Sequence, residues 1–133
     1  MASILKVDTI TGVTTAGSIA VTGEGDSTTT NLQQGLAKVW FKLDGSGTIG
    51  GLDSFNIASF TDNGTGDYSG NLTNAMGNAN YSAVANTGSN DVFGSIIGGS
   101  QATTLLRVAS HYYGSGANLD RDHVYAMAAG DLA

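Results

Sequence analysis

The sequence predicts an all-β fold, an antiparallel β-sandwich or barrel, and three observations support this class. Glycine, threonine, serine and asparagine make up 58 of the 133 residues, and these residue types favour turns or disfavour helix interiors. Hydrophobic residues still supply 41% of the chain, which is enough to build a core. After Asp44, short segments rich in β-branched and aromatic residues alternate with Gly- or Asn-rich turns, a spacing typical of antiparallel sandwiches.

The strands of the main domain are bounded by turn signals. A short turn or helical turn is predicted over 31–35, because Gly35 weakens a continuous helix there, and a strand follows over 36–44. The segment from Phe60 to Tyr68 is the clearest hairpin, since Asn63-Gly64 supplies residues that tolerate positive φ. The remaining strands are predicted over 54–61, 67–72, 81–85, 92–97, 104–112 and 123–128.

The chain is predicted to divide into an N-terminal β arm, residues 1–30, and a sandwich domain, residues 31–133. Alternating apolar residues over 4–10 and 18–22 predict two short strands, followed by linker chemistry over 23–30. A two-stranded hairpin alone is marginal in water. We therefore expect the arm to pack on another chain, the alternative being that it folds back onto its own domain. The apolar arm residues are Ile4, Leu5, Val7 and Ile10.

Charge and composition exclude several partners. The net charge of −6 repels nucleic acid and anionic membranes, so neither is expected as a partner. Polar and charged residues within 1–8 interrupt the apolar ones after at most two in a row, and we expect neither a signal peptide nor a membrane span. Cysteine and proline are both absent. Because proline commonly protects exposed sheet edges, its absence favours edges that meet neighbouring subunits.

The chemical motifs favour conformational roles over catalysis. The Gly45-x-Gly47-x-x-Gly50 pattern lacks the helix that a dinucleotide fingerprint requires. The acidic loop over 62–67 has oxygen ligands suited to calcium but also the residues of an ordinary turn, and both interpretations stay open. The cluster over 120–123 is interpreted as a solvated turn with an Asp–Arg ion pair, since no serine elbow or cysteine accompanies its Asp/His pair. No enzyme activity and no cofactor are expected.

A surface-binding site is predicted at His111, Tyr112 and Tyr113, which precede a Gly-Ser-Gly turn. Exposed aromatic side chains on such a rim stack on sugars and contribute interface energy. Tyrosines of a core are an equally good interpretation of the same residues. Two histidines are too few for a recognisable zinc site.

The first ten residues, Met1 to Ile10, resemble the amino terminus of tail-fibre and other virion structural proteins of tailed bacteriophages, particularly marine phages. The turn over 62–68, Asp-Asn-Gly-Thr-Gly-Asp-Tyr, is similar to part of a β domain that recurs in those proteins. Together the similar segments span most of residues 1–85, and they are 1–10, 36–48, 53–57, 61–68, 74–76 and 80–81.

This resemblance implies a non-enzymatic virion protein that is a homotrimer. Its arm would bind other virion proteins (capsid, portal or tail), and its lectin-like, jelly-roll or related sandwich would face solvent or a host surface glycan. We expect threefold association to cover Trp40 and Phe41 together with the arm residues. Because no extended shaft repeat separates arm and domain, a short fibre or knob fits better than a long fibre. A capsid decoration protein and a carbohydrate-binding module are the alternatives.

Overall fold

The computed structural model describes residues 4–12, 19–23, 28–32, 35–88, 92–97 and 100–133. The chain forms two compact units, Met1–Gly35 and Leu36–Ala133. The boundary expected between residues 30 and 31 stays a prediction. None of the described residues forms a helix long and apolar enough to cross a membrane.

The first unit contains one short antiparallel hairpin, formed by β1 (Ala20–Thr22) and β2 (Thr29–Asn31). Strand β2 lies at the end of a stretch expected to be linker. The prediction of a strand over 4–10 is wrong, since residues 4–12 form no strand. Alternation of side chains does not make a strand unless a neighbouring strand completes the hydrogen-bond ladder. Parts of the arm, 1–3, 13–18 and 24–27, lie outside the described residues.

The second unit contains two four-stranded antiparallel sheets. The first has the order β4-β3-β10-β7 and the second the order β5-β6-β9-β8. The predicted all-β class with antiparallel sheets is therefore confirmed. The strands are β3 (Ala37–Asp44), β4 (Gly50–Phe55), β5 (Ile57–Gly64), β6 (Asp67–Leu72), β7 (Ser82–Thr87), β8 (Val92–Ile96), β9 (Leu105–Tyr112) and β10 (Val124–Ala129).

The strand predicted over 54–61 is in fact two strands, which belong to different sheets. Asn56 separates β4 from β5 and has a φ of 62°, a conformation that asparagine tolerates better than most residues. Its side-chain amide donates to the backbone oxygens of Lys38 and Asn74, each at 3.0 Å. These bonds hold the turn, so the chain can leave the first sheet and enter the second within one residue.

The predicted hairpin between Phe60 and Tyr68 is confirmed as β5 and β6, but its turn differs in detail. Asn63 remains in β5, and the positive φ values belong to Gly64 (128°) and Gly66 (62°). The amide of Asn63 donates 2.9 Å to the Ser69 hydroxyl across the hairpin. The positive φ values expected of Asn63 and Gly64 therefore belong to two glycines instead.

Both sheets contribute to one hydrophobic cluster. Alternate residues of β3 and β10 point into it from the first sheet, and residues of β6 and β9 enter it from the second. Its buried members are Val39, Phe41, Leu43, Tyr68, Met76, Tyr81, Leu106, Val108, Val124, Ala126 and Ala128.

The Tyr68 hydroxyl shows how polar atoms are satisfied at the end of this core. It donates 2.9 Å to the carboxylate of Asp120 and also lies 3.2 Å from the backbone oxygen of Gly45. Burial raises the pKa of Tyr68 far above its ordinary value, and the bond to Asp120 adds to the rise. The phenol therefore stays protonated and acts as a hydrogen-bond donor.

The edge strands β7 and β8 close one side between the two sheets. The Thr87 hydroxyl donates to the backbone oxygen of Val92 at 2.7 Å. A β-carbon built on Gly94 would lie 2.7 Å from the backbone of Asn86, so only glycine allows this approach. Each sheet has one face towards the shared core and one outer face.

Candidate assembly surface

Trp40 and Phe41, expected to share an assembly surface, point to opposite faces of β3. Phe41 is 2% exposed and packs edge-on against Phe60, with ring centroids 5.3 Å apart. The expectation for Phe41 is corrected accordingly: it fills the protomer's own core, because strand neighbours alternate between faces. Trp40 is 37% exposed and lies on the outer face of the first sheet.

Four large apolar residues form one row across that outer face. The strand register pairs Trp40 with Phe55 of β4 and with Met127 of β10, and Met127 with Val84 of β7. Directly paired residues of neighbouring strands lie on the same face with β-carbons about 5 Å apart. Phe55, Met127 and Val84 are each more exposed than Trp40. Sequence reasoning missed all three, although alternation in β10 separates exposed Tyr125 and Met127 from buried neighbours.

The next row on the same face combines an aromatic ring with two opposite charges. Lys42 pairs with Asp53 on one side and with Tyr125 on the other, and Asn86 ends the row beside Tyr125. The Lys42 ammonium lies 5.5 Å from the centre of the Tyr125 ring, within the range of a cation–π interaction. We call the outer face formed by Phe55, Trp40, Met127, Val84 and Tyr125 the Trp40 face. It has a groove along β7 and β10.

Apart from one exposed aromatic side chain at its β8 edge, the outer face of the second sheet is polar, and its polar side chains bond to one another. Arg107 donates from Nε to Asp67 at 2.8 Å and makes a second bond to the same carboxylate. Asn63 also donates to Asp67 and to Ser69. Asn71 donates to hydroxyls of β5. The two outer faces of the body therefore differ in chemistry, one apolar and one covered by a hydrogen-bond network.

The ion pair between Arg107 and Asp67 predicts how stability depends on pH. The bond from Arg107 holds the pKa of the Asp67 carboxyl below its ordinary value of 3.8, although burial opposes this. A carboxyl whose pKa is lowered by folding stabilises the folded state above its unfolded pKa, and this contribution is lost as the pH falls through the folded value. Between about pH 4 and pH 2, we therefore expect the unfolding free energy of Asp67→Asn to depend less steeply on pH than that of the wild type.

Asp8→Asn, which removes an exposed carboxylate of the arm, is the control for this acid titration. It should leave the pH dependence of the unfolding free energy close to that of the wild type. Equal pH dependence for Asp67→Asn and the wild type would show that the pair does not contribute.

The three residues of the predicted surface-binding site have different surroundings. His111 is half-buried: its Nε2 lies 2.8 Å from the Ser95 hydroxyl, and its ring centroid lies 5.2 Å from that of Phe93. Tyr112 is 42% exposed and Tyr113 is 82% exposed. Tyr112 ends β9, and Tyr113 lies in the turn beyond it. The tyrosines thus lie on the surface, and His111 supports the rim beside Phe93.

The cluster over 120–123 differs from the expected turn with an Asp–Arg ion pair. Asp120 accepts instead from the backbone nitrogen of Gly66 at 2.6 Å and from Tyr68. Asp122 lies 3.5 Å from Nδ1 of His123. The physical reason is that the backbone amide and the phenol reach Asp120 from the neighbouring hairpin. Asp120 therefore links the β5–β6 turn to the segment between β9 and β10.

The arm residues expected to bind another chain are exposed. Ile4 and Leu5 are 78% and 83% exposed, and Val7 and Ile10 are 52% and 57% exposed. In all, fifteen large apolar or aromatic side chains of the described residues are exposed, whereas ten of the same kind are buried. A protein that functions as a monomer usually exposes such residues singly and keeps contiguous patches small.

Candidate chemical sites are sparse in the described part of the chain. It contains no group of three or more His, Asp or Glu side chains that could hold a metal ion. In the acidic loop, Asp62 accepts from the backbone of Gly64, and Asp67 is paired with Arg107. The carboxylates of that loop therefore have protein partners.

No protein-family model, curated protein or solved structure matches this chain.

Proposed function

We propose that this chain is a non-enzymatic structural protein of a tailed-bacteriophage virion, a homotrimeric short fibre or knob that projects from the particle. The observation that carries the proposal is the excess of exposed over buried large apolar side chains among the described residues, fifteen against ten. Apolar surface of this extent is stable in water when a partner covers it. We therefore expect this chain to function as part of an assembly.

The two units have separate tasks in this proposal. The arm, with Ile4, Leu5, Val7 and Ile10 exposed, binds other virion proteins of the capsid, portal or tail. The body, with its two sheets around a common core, forms a lectin-like or jelly-roll-related sandwich at the distal end. Exposed apolar side chains on a segment without helix or strand, as over residues 4–12, are suited to binding a groove or sheet edge of a partner.

Contact with a host surface glycan is proposed at the rim formed by Tyr112 and Tyr113. Both tyrosines are exposed, and aromatic rings present the flat apolar surface on which sugar rings stack. Half-buried His111 supports this rim through its bond to Ser95.

The second candidate is a capsid decoration protein that stabilises the shell. The two compact units of the chain fit this function as well as they fit a fibre, because a short knob can cap a shell as readily as it can project from a tail. The number of copies per particle distinguishes the two functions. Tens of copies or fewer at a tail or vertex indicate a fibre, and hundreds over the shell indicate decoration.

A carbohydrate-binding module outside any virion is a weaker alternative. Glycan binding by the isolated protein, together with no incorporation into particles, would favour it. A screen for glycosidase or depolymerase activity should give no product under the main proposal.

The arm is tested by deleting residues 1–12. We expect the truncated protein to keep the β-sheet signal in circular dichroism, because the core residues belong to the second unit, and to lose attachment to particles that lack the wild-type protein. Lys6→Ala with Asp8→Ala is the matched control, since it changes the same segment but keeps its apolar side chains. Normal incorporation of the truncated protein would contradict the anchoring function.

A further inference from the structure

We infer that the Trp40 face is the surface through which copies of this chain bind one another, with the faces of three copies meeting around a threefold axis. This inference rests on the proposed function and specifies which part of the body forms the subunit contact. It assigns that contact to Phe55, Trp40, Met127, Val84 and Tyr125 in place of Phe41, which is buried in the protomer.

The Trp40 face has the area of the apolar centre of a subunit contact, which a polar rim completes. Its five side chains are between 37% and 61% exposed. At about 200 Å² for a fully exposed large side chain, they present about 450 Å² of apolar surface. This is comparable to the largest apolar patch of a typical monomer, about 300–600 Å², which is often functional. It is also about half of the roughly 800 Å² that each partner buries in a standard interface, whose rim is polar.

The charges of the face favour a second copy as its occupant. The chain carries a net charge of −6, so copies repel one another unless they meet through a surface without excess negative charge. The Trp40 face has one cation and one carboxylate side by side, Lys42 and Asp53. The other lysine on this side of β3, Lys38, is 4% exposed. In a threefold ring each contact joins two different parts of the surface of neighbouring copies, so a face that carries both signs can pair Lys42 of one copy with Asp53 of the next.

The opposite side of the body supports this assignment. There the polar side chains of Asp67, Arg107 and Asn63 already bond to one another. Such a face needs no partner to satisfy its hydrogen bonds, and it is stable towards water. Of the two outer faces, the apolar one is therefore the face that association covers.

Trp40 is the only tryptophan in the chain, so its fluorescence reports on this face alone. We expect the full-length protein at high concentration to have the mass of a trimer and a blue-shifted emission that acrylamide quenches weakly. On dilution the mass should fall to one third, and the emission should shift to the red and become severalfold more quenchable. The mass and the fluorescence should change over the same concentration range.

Two variants make the test specific. Met127→Glu and Val84→Lys each place a charge at an exposed position of the row, so both should give a folded monomer at concentrations where the wild type is a trimer. The matched control is Tyr113→Glu, an exposed aromatic residue of the rim, and it should remain a trimer. Circular dichroism of each variant checks that the sheets are intact, and having two row variants keeps the test valid if one does not fold.

The outcomes separate the two levels of the proposal. A trimer in which Trp40 stays accessible to acrylamide, and which survives both charge variants, overturns the assignment of the face but leaves the proposed virion function in place. A folded monomer at every concentration overturns the subunit contact and the homotrimer together. Loss of particle attachment on deleting residues 1–12 is independent of both results.

Discussion

Replacing Phe41 with alanine is expected to lower the free energy of unfolding by about 3–5 kcal/mol, the usual cost of truncating a buried aromatic side chain. The ring is 2% exposed and packs on Phe60. It also limits the space above Gly70, where an added β-carbon would lie 2.9 Å from the ring. Truncation therefore opens a cavity between the sheets. Urea unfolding followed by circular dichroism measures the loss as a lower midpoint.

Trp40→Ala is the matched control for Phe41→Ala, because the two residues are adjacent in β3 and point to opposite faces. Trp40→Ala removes a half-exposed ring and leaves the core intact. The stability of an oligomer depends on concentration, so both variants are compared with the wild type after dilution to monomer. There, Trp40→Ala should cost much less than Phe41→Ala. Equal losses would contradict the assignment of Phe41 to the core and Trp40 to the surface.

Gly66→Ala is expected to destabilise the protein by about 2–5 kcal/mol, from two causes. A φ of 62° costs a residue with a β-carbon about 1–2 kcal/mol. That carbon would also lie 2.5 Å from the backbone nitrogen of Leu119 and 2.7 Å from the backbone oxygen of Ser110. Backbone atoms cannot move aside as a flexible side chain can, so overpacking adds about 1–3 kcal/mol.

Gly116→Ala separates these two causes. Gly116 has a similar φ of 68°, but a β-carbon there would have no atom within 4 Å. We therefore expect Gly116→Ala to cost about 1–2 kcal/mol from backbone strain alone. The midpoints of urea unfolding of the two variants give the comparison. If Gly66→Ala cost no more than Gly116→Ala, the close approach of the β5–β6 turn to the segment after β9 would be in doubt.

The sequence predicts strand positions best where turn chemistry marks both ends. Strand β6 has the predicted bounds, Asp67–Leu72, because Gly66 and the Asn-rich segment that follows leave few other places for it to begin and end. Strands β8, β9 and β10 differ from their predicted bounds by one residue. Local alternation is a reliable signal when the strand pairs on both sides or lies near the core.

The break at Asn56 and the whole of β4 are harder to predict. Phe55 and Ile57 lie on either side of Asn56 at the two-residue spacing of one strand face, so the pattern indicates one continuous strand. What separates them is the positive φ of Asn56, which depends on bonds to Lys38 and Asn74, each 18 residues away in sequence. Strand β4 begins with Gly50 and Gly51, residues that usually mark a turn. Gly51 is needed there because Phe60 occupies the space where its side chain would be.

The assembly surface is only partly predictable for a related reason. Trp40 and Phe41 are both large and apolar, and nothing local decides which one points to the core. The row with Phe55, Met127 and Val84 depends on the register of three strand pairs between segments far apart in sequence. The prediction of a strand over 4–10 is wrong for a different reason. The local alternation there is clear, but residues 4–12 pair with no neighbouring strand.

The mass of the full-length protein in solution, measured by sedimentation over a wide range of concentrations, tests most directly whether the chain is built for assembly. With a protomer of 13.4 kDa, we predict a species of about 40 kDa, three protomers, that dissociates only on dilution. A single species of one protomer at every concentration, folded and soluble with its apolar side chains still exposed, would contradict the account.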